Sequence, residues 1–262
     1  MAPVVEAIVQ VVRIPGRIPF VIGAPGDERR LLALLSRRLP EGLHAVVLDA
    51  TAGYCLLDIF GPDRSDALRR AGRRPRAGDA DMAPQLDLGL GLTRAVEGGE
   101  HGLDVTRLIV ASDMAAHIYE AVTAAAVRPI GSHAFHALRL EAGRPAWGSE
   151  IDQTTMPADA GLSEAAGLNR AADAVPALCR IVLERADERL IGREPIRRDG
   201  EVIGSVVSGA FGHGIGRPVG FAFVASAADR PRPGAEDIAV DVEIAGRPGR
   251  ARLMALPGEE MA

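Results

Sequence analysis

The sequence contains no lysine, so all 30 of its Lys and Arg positions are arginine. Chemistry that needs a lysine is therefore excluded: no side chain can form a Schiff base, and no phosphate-binding loop can supply its usual lysine. Arginine can still bind carboxylates and phosphates through two parallel hydrogen bonds.

Cysteine and aromatic residues are also scarce. The two cysteines, Cys55 and Cys179, form no CxxC pair, which favours two buried reduced thiols and a reducing compartment. We therefore expect the protein to be cytoplasmic. Aromatic residues make up 3% of the chain and the net charge is −5, a combination that argues against a nucleic-acid partner.

Long apolar runs are missing as well. No stretch of about 18 uninterrupted apolar residues occurs, so we expect no membrane-spanning helix. The first residues, MAPVVEAIVQVVRIPG, lack a basic start followed by an apolar run, so we expect no signal peptide. The 262 residues, 47% of them hydrophobic, suffice for one sizeable domain or two small ones.

Hydrophobic periodicity predicts an α+β fold. The predicted strands of the first half are 4–12, 18–22, 44–51, 53–61 and 103–110, and the predicted helices are 28–39, 61–72, 111–127 and 132–143. Beyond residue 175, short β-rich segments with a hairpin signal at residues 198–200 predict an antiparallel barrel or sandwich. We expect one domain at 1–174 and a β domain at 175–262.

Two features of the first half are open to more than one interpretation. Residues 69–92 form a predicted loop with five arginines within 69–76, which is either a solvated connection or an anion-binding patch. His133 and His136, at i and i+3 on a predicted helix, are either half of a metal site or a helix-surface pair. Because no third ligand is identifiable, we expect no bound metal.

Common catalytic motifs are not present. No GxGxxG opens a helix after a strand, and no GxSxG elbow occurs. The remaining candidate is an acidic cluster of Glu141, Glu150 and Asp152, with Trp147 among them. Glu141 lies near the end of an amphipathic helix, and a carboxylate beside an apolar surface can accept hydrogen bonds from a planar donor pair such as that of a pterin or guanine.

The stretch LRLEAGRPAWGSEIDQTTMPADAGL, residues 138–162, resembles a segment typical of the aminomethyltransferase family, which includes the T-protein of the glycine cleavage system. That pattern runs L-R-L-E-A-G, then G-x-E-[IL]-D, then T-P-x-E-A-G-L. LIGREPIRRDGEVIGSVVSGAF resembles the family's C-terminal barrel signature, with Val207 in place of the usual threonine. VVLDAT and IFGPD resemble elements of the family's first half, and TRAVEGGEHGLDV resembles its Y-T-G-E segment, with Glu100 matching the glutamate.

The chain departs from the family between Asp63 and Arg94. Other members carry there an L-N-x-x-G-G-x-x-D-D motif whose aspartate acts near the folate nitrogen, and this sequence has only about 30 residues and no such motif. Asp87 is the nearest aspartate by order, but nothing in the motif supports its assignment. The shortening resembles the compact gamma subunit of heterotetrameric sarcosine oxidase.

The resemblance implies a T-protein-like folate-binding α/β region followed by a small antiparallel β-barrel. It also implies a tetrahydrofolate cofactor and a small-molecule methyl or one-carbon donor. Glu141 would bind the pterin edge, with Glu100 and Trp147 as further cofactor-binding candidates, and the loop at 69–76 is a candidate for receiving the folate tail. We assign no catalytic residue.

Two functions are compatible with this resemblance. One is a tetrahydrofolate-dependent one-carbon transferase of the aminomethyltransferase or demethylase type. The alternative is a noncatalytic folate-binding or accessory subunit of a partner oxidase or demethylase. A third branch, folate-binding proteins of iron–sulfur maintenance, carries a K-G-C-Y-x-G-Q motif that a chain without lysine cannot have.

Overall fold

The computed structural model describes residues 5–13, 18–72, 74–75, 85–87, 92–98, 104–160 and 176–256. The chain divides into two compact units, Ala7–Pro129 and a second unit made of Met1–Glu6 with Ile130–Ala262. The domain boundary expected between residues 174 and 175 lies outside the described residues.

The described residues of the unit Ala7–Pro129 form an antiparallel sheet, a two-stranded ribbon and three α-helices. Its elements are β1 (Gln10–Val12), β2 (Phe20–Ile22), α1 (Glu28–Arg38), β3 (Tyr54–Phe60), α2 (Arg64–Arg70), β4 (Arg74–Pro75), β5 (Gln85–Asp87), β6 (Leu92–Gly98), β7 (Val105–Ala111) and α3 (Ala115–Ala124). The five-stranded sheet has the order β3-β7-β6-β5-β4, and β1 pairs with β2. Short 3-10 helices at Thr51–Gly53 and Ser112–Met114 precede β3 and α3.

Strand alternation gives this sheet two apolar faces. On one face, Leu108 and Val110 of β7 pack with Leu68 of α2 and Ile118 of α3. On the other face, Ile109 packs with Val12 and other side chains of the β1–β2 ribbon.

In the second unit, the part of the chain that the structure describes forms one α-helix and a closed six-stranded barrel. Its elements are α4 (Ser132–Glu141), β8 (Ala177–Leu183), β9 (Pro195–Arg198), β10 (Glu201–Gly212), β11 (Arg217–Val224), β12 (Ile238–Ile244) and β13 (Arg247–Met254). The barrel order is β10-β11-β8-β13-β12-β9, with antiparallel neighbours. A short 3-10 helix at Ala227–Asp229 lies between β11 and β12.

The two faces of β8 decide where α4 packs. Cys179 and Ile181 point into the barrel core, whereas Leu178 and Val182 belong to a second cluster that contains Leu140 of α4. Because side chains alternate along a strand, Arg180 shares the outward face with Leu178 and Val182. This face of the barrel carries the end of α4.

Most predicted elements are confirmed, including all four helices and the barrel, one of the two β architectures that were expected. The hairpin signal is also confirmed: β9 ends at Arg198 and β10 begins at Glu201, and Asp199 and Gly200 have φ of 51° and 86°, as a two-residue hairpin turn requires. The described residues contain no helix long and apolar enough to cross a membrane.

The strand predicted at 44–51 is wrong. Residues 44–50 have no strand pairing, and the side chains of Val46 and Leu48 are 79% and 74% exposed. An apolar run forms a strand only where a partner strand accepts its backbone hydrogen bonds, and none lies beside it among the described residues. The strand predicted at 4–12 is shorter than expected, and the predicted loop 69–92 contains β4 and β5.

Candidate functional site

Glu141 is the last residue of α4, and its position follows from the packing of that helix. The preceding residue, Leu140, is fully buried against Phe221 and Val219 of the barrel. The side chain of Glu141 is half-buried, and its carboxylate oxygens Oε1 and Oε2 accept a shared hydrogen bond from the Gly214 N–H at 3.1 and 3.2 Å. A carboxylate has about four acceptor positions, so further donors can be accommodated.

Two glycines in the connection between β10 and β11 let the backbone approach Glu141 closely. A Cβ at Gly214 would overlap Oε2 of Glu141, and a Cβ at Gly212 would lie 3.0 Å from its Cγ. These glycines belong to the segment GHGIG, which the sequence shows without the strand-and-helix context of a dinucleotide site. In the structure, its backbone lies against the side chain of Glu141 and supplies the Gly214 N–H to the carboxylate.

Arg180 carries a positive charge on the same outer face of the barrel. Its half-buried guanidinium has a lowered pKa, because burial outweighs the opposing influence of the Glu141 and Asp237 carboxylates. The buried Nε of Arg180 has no hydrogen-bond acceptor among the described residues. The site thus combines a carboxylate with an arginine that retains an unused donor.

Glu150 has a structural role that the sequence-based acidic cluster did not anticipate. Its carboxylate is fully buried and forms two hydrogen bonds with the Arg139 guanidinium, at 2.7 and 2.9 Å. The Ala146 N–H donates to the same carboxylate at 2.9 Å. This ion pair ties α4 to the segment that follows it.

His136 extends this network. Its Nδ1 lies 2.9 Å from Nη2 of Arg139. Because a guanidinium can only donate, Nδ1 is the acceptor of this hydrogen bond. Burial, and then the positive charge of Arg139, lower the pKa of His136. The described residues hold no cluster of three or more His, Cys, Asp or Glu side chains with the spacing of a metal site.

Asp152 and Trp147 are the other members of the sequence-based cluster. Asp152 accepts hydrogen bonds from the hydroxyl and backbone N–H of Thr154 at 2.6 and 2.8 Å, and these contacts lower its pKa. Trp147 is half-buried against Val5, Ile151 and Ala160. The three carboxylates therefore have different partners. Glu150 and Asp152 accept hydrogen bonds from side chains, whereas among the described residues Glu141 accepts only from a backbone N–H.

The other predicted site residues are only partly described. Glu100 lies outside the described residues. Within the arginine-rich segment, Arg69 pairs with Asp66, and Arg70 donates to the carbonyl oxygen of Ala125 at 3.2 Å. These two arginines therefore contribute to the packing of α2.

Sequence reasoning missed Arg180 and Gly214. An arginine in the centre of an otherwise apolar strand, ALCRIVL, is a signal that could have marked Arg180. Gly214 has no comparable signal, because its contact with Glu141 joins residues 73 positions apart in the chain.

Comparison with known proteins gives matches along nearly the whole chain. The GCVT N-terminal domain matches residues 9–170, and the glycine cleavage T-protein C-terminal barrel domain matches residues 177–258. An aminomethyltransferase of Streptomyces coelicolor is 31% identical over 269 residues, covering 91% of this chain and 68% of that protein. The mitochondrial dimethylglycine dehydrogenase of Mus musculus is 26% identical over 234 residues, covering 80% of this chain and 27% of that protein.

A solved structure shares the fold. The glycine cleavage system aminomethyltransferase T from Bartonella henselae has a TM-score of 0.77 and 22% identity, covering 98% of this chain and 73% of that one. Together with the two family models, this likeness confirms the resemblance found in the sequence. The chain belongs to the glycine cleavage T-protein, or aminomethyltransferase, family.

Proposed function

We propose that this protein is a tetrahydrofolate-dependent one-carbon transferase of the aminomethyltransferase or demethylase type. The observation that supports it best is the Glu141 carboxylate, half-buried at the end of α4 with one backbone donor and room for others. Family membership supports folate as the cofactor class, since its relatives include aminomethyltransferases and a dimethylglycine dehydrogenase.

The residues around Glu141 fit a pterin. A pterin presents an N–H and an amino group side by side, which is the donor pair that one carboxylate accepts. The glycines at 212 and 214 leave space beside the carboxylate that any side chain would fill. Glu100 and Trp147 are proposed as further cofactor-binding residues, the latter as an apolar surface beside the segment 148–151.

Tetrahydrofolate, when bound, supplies a nitrogen that carries the methyl or methylene unit. The chain's own contribution is to bind and orient the pterin and to exclude water, which lowers the barrier by positioning rather than by covalent catalysis. The donor is a small amine or ether. The proposed location is the cytoplasm, in agreement with the two free thiols, of which Cys179 is buried.

A ligand-induced thermal shift tests the cofactor and the site together. We expect tetrahydrofolate to raise the melting temperature of the wild-type protein, because a ligand that binds only the folded state stabilises it. Glu141→Ala should abolish this shift. Glu120→Ala, which removes an exposed glutamate from α3, is the matched control and should leave the shift intact. An unchanged shift in Glu141→Ala would exclude Glu141 as the pterin-binding residue.

A second function is supported by the short segment between Asp63 and Arg94, which lacks the family's aspartate-containing motif. On that alternative, the chain binds folate as a noncatalytic or accessory subunit of an oxidase or demethylase. Copurification with such an enzyme, together with folate binding but no turnover of methylated amines by the isolated chain, would support the accessory function. Turnover by the isolated chain would exclude it.

A further inference from the structure

Arg180 is a charged side chain on the barrel face that carries the end of α4. It lies in the middle of β8, between Leu178 and Val182, which pack against α4. A guanidinium in such a place loses part of its hydration, and its donors then need acceptors within the protein or a ligand. The buried Nε of Arg180 has none among the described residues.

The charges around Arg180 do not replace the missing acceptor. The Glu141 and Asp237 carboxylates attract it electrostatically and oppose the effect of burial. The Glu141 oxygens, however, accept their described hydrogen bonds from the Gly214 N–H. Arg180 therefore lies on the barrel face that packs against Leu140, the neighbour of Glu141, and its Nε is a donor that a ligand can use.

The edge of a pterin has the chemistry that this pair lacks. Its 4-oxo group, its ring N3–H and its 2-amino group lie in a row, as one acceptor followed by two donors. A carboxylate complements the two donors, and a guanidinium complements the acceptor next to them. A carboxylate alone cannot bind the oxo group, because two oxygen acceptors would then face each other.

We propose that Arg180 determines specificity by donating a hydrogen bond to the 4-oxo group of the pterin that Glu141 binds. This inference rests on the proposed function. It assigns to Arg180 the part of the discrimination that depends on position 4, where 4-oxo pteridines such as folates present an acceptor and 4-amino pteridines present a donor. With a 4-amino pteridine, the hydrogen bond from Arg180 would be lost and two donors would face each other. This difference corresponds to a preference for the 4-oxo pteridine of about tenfold or more.

The test compares folic acid with its 4-amino analogue aminopterin, which presents a donor in place of the 4-oxo acceptor and an unprotonated N3 in place of the N3–H. Their dissociation constants are measured by calorimetry at pH 7, where both pteridine rings are predominantly neutral. Wild-type protein should prefer folic acid by about tenfold or more. Arg180→Met should lower this ratio about tenfold by weakening folic acid binding, and the preference that remains comes from the Glu141 carboxylate, which faces N3–H in folic acid and an acceptor nitrogen in aminopterin. Arg180→Lys, which retains a cationic donor, should keep part of the preference that Arg180→Met loses.

A matched control is Arg250→Met, which removes an exposed arginine from barrel strand β13 and should leave the ratio unchanged. Equal ratios in wild type and Arg180→Met would overturn the role of Arg180, and so would an equal loss of affinity for both probes, which would mean that Arg180 only supports Glu141. If Arg180→Met does not fold, the ratio in Arg180→Gln decides: a value equal to wild type overturns the proposal, because the shorter, uncharged side chain cannot supply the charged hydrogen bond. If wild-type protein binds neither probe nor tetrahydrofolate, the proposed function fails as well.

Discussion

Replacing Glu150 with glutamine removes the negative half of a buried ion pair and leaves the positive half in place. Arg139 is 5% exposed at its side chain and Glu150 is 0% exposed. Their two hydrogen bonds, at 2.7 and 2.9 Å, are supported by the Ala146 N–H on the same carboxylate. Glutamine has the same shape but no charge, so the Arg139 guanidinium would be buried without a counterion.

The size of the effect follows from the burial of both partners. Removing one partner of a buried ion pair costs about 3–5 kcal/mol, because the remaining charge stays out of water. For a chain of this size that cost corresponds to a decrease in melting temperature of roughly 6–20 °C. The measurement is chemical or thermal unfolding followed by circular dichroism.

A double-mutant cycle separates the ion pair from other effects of the substitution. The cycle consists of Arg139→Met, Glu150→Leu and the double variant, which replaces both charges by apolar groups; buried pairs replaced in this way often lose little stability. The double variant should therefore be much more stable than the sum of the single losses implies. Asp187→Asn is the control, because it breaks an exposed pair with Arg185 at the same 2.7 Å distance and should leave the unfolding transition unchanged. If the melting temperature of Glu150→Gln equals that of Asp187→Asn within error, the reasoning is refuted.

Three further predictions concern pH and the site. Burial and the charge of Arg139 lower the pKa of His136, so the folded state resists protonation of this side chain. The free energy of unfolding should therefore fall as the pH decreases below about 6.5. Melting temperatures measured over a pH series should fall less steeply in His136→Gln than in the wild type. Burial raises the pKa of Asp159, so the wild type loses stability as the pH rises above 3.8 and the carboxyl group ionises. Asp159→Asn should therefore have a higher melting temperature than the wild type at pH 7. In acid, where the wild-type carboxyl group is protonated, this difference should disappear. Gly214→Ala should weaken tetrahydrofolate binding several-fold without changing the secondary structure seen by circular dichroism, because its Cβ displaces the Glu141 carboxylate; unaltered affinity would contradict this contact.

Local patterns were sufficient for most elements. The leucines of α1 and the turn residues Asp199 and Gly200 act within a few positions of the chain, and the structure confirms the helix and the hairpin that they predict. Residues 44–51 show the limit of such patterns: the run is apolar, but whether it pairs depends on a neighbour that the local sequence does not contain. Strand β6 was not predicted for the same reason, since its partners β5 and β7 determine it.

The site divides in the same way. The sequence by itself determined the family, through motifs whose residues are close in the chain, and it singled out Glu141. Only the tertiary structure decided which carboxylates have other tasks: Glu150 binds Arg139, whereas Glu141 meets Gly214 and the charge of Arg180. The physical reason is that hydrogen bonding and electrostatic attraction depend on distances in space. Gly214 comes from the connection between β10 and β11, and Arg180 comes from β8, a strand that packs against α4 in the closed barrel.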